Sequence, residues 1–179
     1  MGGGVITAGS AYTTTNFDPS STSSALACGT NWHVVEGLYG LDFHDYSVFN
    51  ELAADDPKQV DDTTYEITLR KDAKFSDGTP VTAESFTKAW SYVANVKNAQ
   101  KCSSFFSTIK GYDELQADGL KGDEQLSGLK VVDDTTFTVD LNQSDSVFPI
   151  KVGYLAFAPL PESFYKDPMF HFLMDLVGE

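Results

Sequence analysis

Apolar and polar residues alternate with period two in Tyr65-Glu66-Ile67-Thr68-Leu69 and again in Phe137-Thr138-Val139-Asp140-Leu141. That alternation predicts half-buried strands. Nearly identical words precede them, Asp61-Asp62-Thr63-Thr64 and Asp133-Asp134-Thr135-Thr136. These read as turns, because Asp and Thr side chains hydrogen-bond nearby backbone groups. Two copies are too few for a solenoid and predict instead two hairpins of one antiparallel sheet that share a turn chemistry. Between them, Phe86, Ala89, Trp90 and Val93 fall at i, i+3, i+4 and i+7, one face of a helix. The strong turn Asp77-Gly78-Thr79-Pro80 precedes this stripe, Thr82 suits the N-cap, and Glu84 sits where the helix dipole favours a carboxylate. The spacing predicts a helix from residue 83 to about 96, packed on the sheet through Trp90.

Weaker patterns flank this centre. Residues 5–8 read as a short strand, followed by a Ser/Thr-rich segment around Asp18-Pro19, where Pro disfavours helix at the residue before it. From 21 to 40, Leu26, Trp32, Val35, Leu38 and Tyr39 fall mostly on one helical face, with Gly37 or Gly40 as C-cap. Residues 117–127 are polar, contain Gly119 and Gly122, and read as a surface loop. Pro159 and Pro161 open a short helix over 162–165. The apolar run 152–161 is far shorter than the roughly 20 residues that a membrane-spanning helix requires.

At 179 residues, with 41% apolar and 21% charged residues, the chain can bury about 70% of its unfolded surface and lies outside the disordered range. Its 12 Lys+Arg against 26 Asp+Glu give a net charge of −14, which repels phosphate backbones and excludes nucleic acid as an expected partner. Met1-Gly2-Gly3-Gly4 has no signal-peptide pattern and reads as an added leader. Catalytic motifs are missing: there is no GxSxG, HExxH, GxxxxGK[ST] or GxGxxG. Asp42, His44 and Asp45 could be drawn as half a triad, but read better as a solvated loop. The acidic stretch 113–124 fails calcium-loop spacing, since Gly119 as sixth position puts Gln125 at the twelfth. No metal site and no cofactor are therefore expected. Phe86, Trp90 and Tyr92 read as core, while the pair Phe105-Phe106 follows a polar loop and fits no stripe. The two cysteines, Cys28 and Cys102, are too far apart for CxxC chemistry and are either one disulfide or two buried thiols.

The run from Leu69-Arg70-Lys71-Asp72-Ala73-Lys74-Phe75-Ser76-Asp77-Gly78-Thr79-Pro80 to Val81-Thr82-Ala83-Glu84-Ser85-Phe86 closely resembles the signature of the oligopeptide- and dipeptide-binding proteins of bacterial ABC importers. Further similarities fall in the same order: Asp18-Pro19 with Glu36-Gly37-Leu38, Ile109-Lys110-Gly111-Tyr112-Asp113, residues 131–141, and Pro159-Leu160-Pro161. The chain departs from the family at Asn50-Glu51-Leu52-Ala53-Ala54-Asp55-Asp56-Pro57, where a Trp is usual, so the packing there must differ.

The resemblance implies an α+β chain: a mixed sheet-and-helix lobe of a periplasmic-binding-protein-like fold (type II, peptide-binding), truncated. Residues 5–40 would begin the large ligand-binding lobe, 41–168 would form an inserted small domain, and 169–179 would start the return to the large lobe. It implies an extracytoplasmic solute-binding component, in the periplasm or as a cell-surface lipoprotein, monomeric and not an enzyme. Such a protein captures peptides between two lobes and delivers them to permease subunits. Competing readings are an oligosaccharide or nickel binder of the same family, and a stand-alone interaction module. The residues that the resemblance brings to the cleft are Ser23, Ser24 and Ala25 at the start of the first helix, and Ser103, Ser104 and Phe105 after the long one. It also implies a disulfide between Cys28 and Cys102, since both segments border the cleft and exported proteins meet an oxidising compartment.

Overall fold

The computed structural model describes residues 18–21, 29–42, 44–45 and 47–166. Four strands form an antiparallel sheet in the order β3-β4-β6-β5: β3 (Lys58–Gln59), β4 (Thr64–Thr68), β5 (Leu129–Asp133) and β6 (Thr136–Asp140). The two alternating runs are neighbours, with Tyr65 opposite Val139 and Ile67 opposite Phe137. These four side chains are buried on one face, while the Thr and acidic residues between them stay partly exposed on the other.

The repeated turn words do the same work in both hairpins. Asp61 Oδ1 accepts the N–H groups of Thr63 and Thr64, both at 2.8 Å, and Asp133 Oδ1 accepts that of Thr135 at 2.8 Å. Asp77 repeats the device with Thr79. The turn at Asp77 also needs Gly78, whose φ of +83° is a conformation that L side chains rarely adopt.

Helix α1 (Ala83–Ala94) begins on a reciprocal cap: Ser85 N–H donates to Thr82 Oγ1, and Thr82 N–H donates to Ser85 Oγ. Its expected apolar stripe faces the sheet, with Phe86, Ala89, Trp90 and Val93 at most 1% exposed. The helix stops at Asn95, two residues short of expectation for its last turn, because the Asn95 side chain turns back to accept Lys97 N–H. Trp90 packs edge-on to Phe137 and Phe157, and its Nε1–H donates to the Phe157 carbonyl at 2.7 Å. The expected short helix after Pro161 is present as Glu162–Lys166. Residues 117–127 carry neither helix nor strand.

The helix expected over 21–40 is corrected. Residues 22–28 lie outside the described residues, as does the strand expected at 5–8. Helical residues occur at 29–31, but Leu38 is in no helix and Tyr39 belongs to β1 (Tyr39–Leu41), paired with β2 (Val48–Asn50). Tertiary pairing overrides the helical spacing here: Leu38 O accepts the N–H groups of Glu51 and Ala53, and Gly37 O accepts that of Leu52. The Phe49 ring lies across Gly40, and a Cβ there would meet Phe49 Cζ at 2.4 Å and displace that ring. Leu38 and Tyr39 are buried as expected, whereas Trp32 is 45% exposed. In the stretch without the family's Trp, Leu52 and Ala53 fill the core, and Ala53 bridges to Leu69.

Residues 18–21 dock against the loop after α1. Asp18 Oδ1 accepts the N–H of Ser20 at 2.9 Å and its hydroxyl at 2.6 Å, and Ser20 O accepts Cys102 N–H at 3.1 Å. Burial raises the Asp18 carboxyl above its ordinary value, against the lowering effect of the Ser20 and Ser21 hydrogen bonds. For an acid raised in the folded state, the folded chain binds the proton more readily, so this group's contribution to stability falls as pH rises from the unfolded value through the folded one. The variant Asp18→Asn keeps an acceptor for Ser20 and removes the charge. Its stability relative to the parent, measured by urea denaturation, is expected to improve between acid and neutral pH; a difference independent of pH would contradict this.

Candidate functional site

Ser103, Ser104 and Phe105 share one 3₁₀ turn, Ser103–Phe106, just beyond buried Cys102. The three do not act alike. Ser103 Oγ lies 3.0 Å from Ala94 O, to which it donates, and 3.2 Å from the Tyr112 hydroxyl. It closes the buried C-terminal end of α1 together with Gln116, whose Nε2 also donates to Ala94 O. Ser104 and Phe105 are exposed.

The adjacent aromatics divide between core and surface. Phe106 is fully buried, 4.5 Å from Phe157 between ring centroids and tilted against Trp90. Phe105 is 45% exposed and stacks on Tyr154, with centroids 4.9 Å apart and planes at 24°. Tyr154 was not among the residues that the sequence pointed to. It lies inside the apolar run 152–161, most of which is core, and only its polar tip separated it from its buried neighbours. Ser23, Ser24, Ala25 and Cys28 lie outside the described residues.

An apolar groove of about 410 Å³ lies elsewhere, lined by Val34, Val35, Phe75, Val81, Pro161 and Phe164 among others. It shares no residue with the Ser103–Phe106 turn. The acidic residues that sequence considered for chemistry serve the backbone instead. Asp42 accepts His44 N–H at 2.7 Å and Asp45 accepts Ser47 N–H at 2.9 Å, both in an exposed loop. Glu124 accepts the N–H groups of Lys121 and Gly122 and the Asn95 amide. Those backbone donors hold its carboxyl down at about 2. Among the described residues no group of three His, Cys, Asp or Glu side chains is arranged to hold a metal ion, and no helix is long and apolar enough to cross a membrane. Of the stacked pair, Phe105 is exposed and Tyr154 is partly buried against the core.

The family model for bacterial extracellular solute-binding proteins, family 5 (Middle), matches residues 48–178, and the chain belongs to that family. It is 28% identical over 152 residues to the periplasmic oligopeptide-binding protein OppA of Escherichia coli, covering 83% of this chain and 27% of that protein. It is 31% identical over 150 residues to the oligopeptide-binding protein SarA of Streptococcus gordonii, covering 81% of this chain and 22% of that protein. Among solved structures, Listeria monocytogenes OppA bound to peptide superposes with a TM-score of 0.75 at 32% identity, covering 85% of this chain and 30% of that one. The fold is therefore that of the peptide-binding members of the periplasmic-binding-protein-like class, and the chain spans less than a third of these relatives' length.

The two serines should separate by measurement. Ser103→Ala removes two partly buried hydrogen bonds and is expected to cost about 1 kcal/mol in urea denaturation, whereas Ser104→Ala should stay within about 0.5 kcal/mol of the parent. Equal losses would mean that Ser103 is not the residue that closes α1.

Proposed function

We propose that the whole protein is the extracytoplasmic solute-binding component of an ABC importer, and that it captures oligopeptides and hands them to permease subunits. The observation that carries this reading is the family match over residues 48–178, with the Leu69-to-Phe86 signature inside it. The oligopeptide-binding names of the E. coli, S. gordonii and L. monocytogenes relatives support peptides over an oligosaccharide or nickel ion. The reading assigns the protein no catalysis and a monomeric state, in the periplasm or as a lipoprotein at the cell surface. Residues 5–40 open the large lobe, 41–168 form the insertion and 169–179 begin the return. Leu38 and Tyr39 already pack into the core of the insertion, which favours a boundary just before them.

The mechanism is physical. Two lobes close over an extended peptide, satisfy its backbone groups and exclude water. This chain supplies one wall, with Ser104 and Phe105 on it and with Ser23, Ser24 and Ala25 contributed by the first segment. An open wall leaves a ligand mostly solvated, and each charge-assisted hydrogen bond missing from the opposite lobe forfeits about 1.5 to 3 kcal/mol. Calorimetry against mixed di- to penta-peptides should give no saturable heat with this chain alone and clear binding with the whole protein. Micromolar binding by the chain alone would put the site within these residues.

The same reading pairs Cys28 with Cys102. Ser20, eight residues before Cys28, is hydrogen-bonded to the backbone of Cys102, so the intervening chain has ample reach. Closing a loop of about 75 residues is worth roughly 4 kcal/mol in the chain-entropy model. Alkylation of unreduced protein should add no mass; two labelled thiols would refute the pair.

A further inference from the structure

Resting on the peptide reading above, we propose that Phe105 and Tyr154 form a pre-organised aromatic platform that selects peptides by an aromatic or large aliphatic side chain. The geometry is a double layer. Two successive residues of the Ser103–Phe106 turn meet two residues of the segment 154–157. The inner pair, Phe106 and Phe157, packs at 4.5 Å in the core. The outer pair, Phe105 and Tyr154, stacks at 4.9 Å, with Phe105 45% exposed and Tyr154 partly buried beside it.

The inner layer fixes the outer one. Trp90 holds the Phe157 carbonyl and wedges its ring against both Phe106 and Phe157. The backbone on each side is closed by short-range bonds, Phe105 N–H to Cys102 O at 3.0 Å and Phe157 N–H to Tyr154 O at 2.9 Å. Neither surface ring can move far without disturbing the core beneath it. Little conformational freedom is therefore left to lose when a ligand lands there, which is the condition under which an exposed apolar surface yields affinity.

The chemistry of the platform selects its ligand. It presents ring surface and no charge, so a side chain gains there by burial and by offset or edge contact with the rings. An acidic side chain gains neither contact and meets a chain of net charge −14. Tyr154 thus joins Phe105 as a residue that sets specificity, whereas Ser103, two residues before Phe105, is occupied in closing α1.

The test uses the whole protein and tetra-alanine peptides in which Phe, Leu or Asp replaces each alanine in turn. The parent is expected to prefer its best Phe peptide over tetra-alanine by about tenfold in Kd. In Phe105→Ala and Tyr154→Ala, checked for native circular dichroism and tryptophan emission, that preference should fall to about threefold or less. Weakening of all peptides by one common factor, or an unchanged preference, would overturn the platform while leaving peptide capture intact. A parent protein that binds no peptide but does bind maltotetraose would overturn the peptide reading, and the platform's selectivity with it.

Discussion

A buried indole must find an acceptor for its one N–H, because in a dry core an unpaired donor costs about 1 to 3 kcal/mol. Trp90 meets this constraint through the Phe157 carbonyl, 67 residues away in sequence. That bond and the ring contacts around it join four parts of the core: Phe86 from the same helix, Phe137 from the sheet, Phe106 from the turn after the helix and Phe157 from the closing segment. The sheet alone could not specify how the segment 152–161 returns across the helix. Most backbone hydrogen bonds there are local, and one links it to α1, from Leu160 N–H to Ser85 O at 3.4 Å, so the indole and that bond together tie this segment to the helix. The arrangement of the stacked pair follows from the Trp90 cluster, since Phe105 directly precedes Phe106 and the Tyr154 carbonyl accepts the N–H of Phe157.

Where periodicity was long and reinforced by turn chemistry, the fold was legible. The pairing of β4 with β6 followed from two alternating runs behind the same Asp-Asp-Thr-Thr word, and α1 followed from a four-residue stripe behind a good cap. Residues 32–50 were illegible for a physical reason. Their strands are three residues long, β2 is exposed throughout, and two glycines sit where a helix would have ended, so no period could form. The buried positions Leu38 and Tyr39 lie just before and at the start of β1, whose partner is the exposed strand Val48–Asn50, so no alternation marks them as strand.

The candidate site was legible only in part. The resemblance directed attention to Ser103, Ser104 and Phe105, but neighbouring residues in a tight 3₁₀ turn point in different directions, and residue type alone cannot say which one faces water. Ser103 proved to be bonded to the helix end, and Phe106 to be core. Tyr154 was hidden for the opposite reason: it stands in a run whose composition is that of a core, and only the stacking against Phe105 sets it apart.

The chain is strongly acidic, with a net charge of −14, yet many of its carboxylates are consumed by the backbone. Asp42, Asp45, Asp61, Asp77, Asp133 and Asp145 each accept an N–H two residues ahead, and Glu51 accepts that of Gly37. Hydrogen bonds from the Thr63 and Thr135 backbone lower Asp61 and Asp133, and the Thr79 hydroxyl and N–H lower Asp77. Such groups prefer to stay ionised where they are, as turn-formers in water. Asp18 differs because it is buried, and burial works against its charge. A carboxylate that already satisfies a backbone donor has less to offer a ligand than its count in the sequence suggests. The Phe105 ring, uncharged and 45% exposed, has no hydrogen-bonding group to commit to the backbone, which is why the ligand chemistry proposed for this wall rests on its aromatics rather than on its charge.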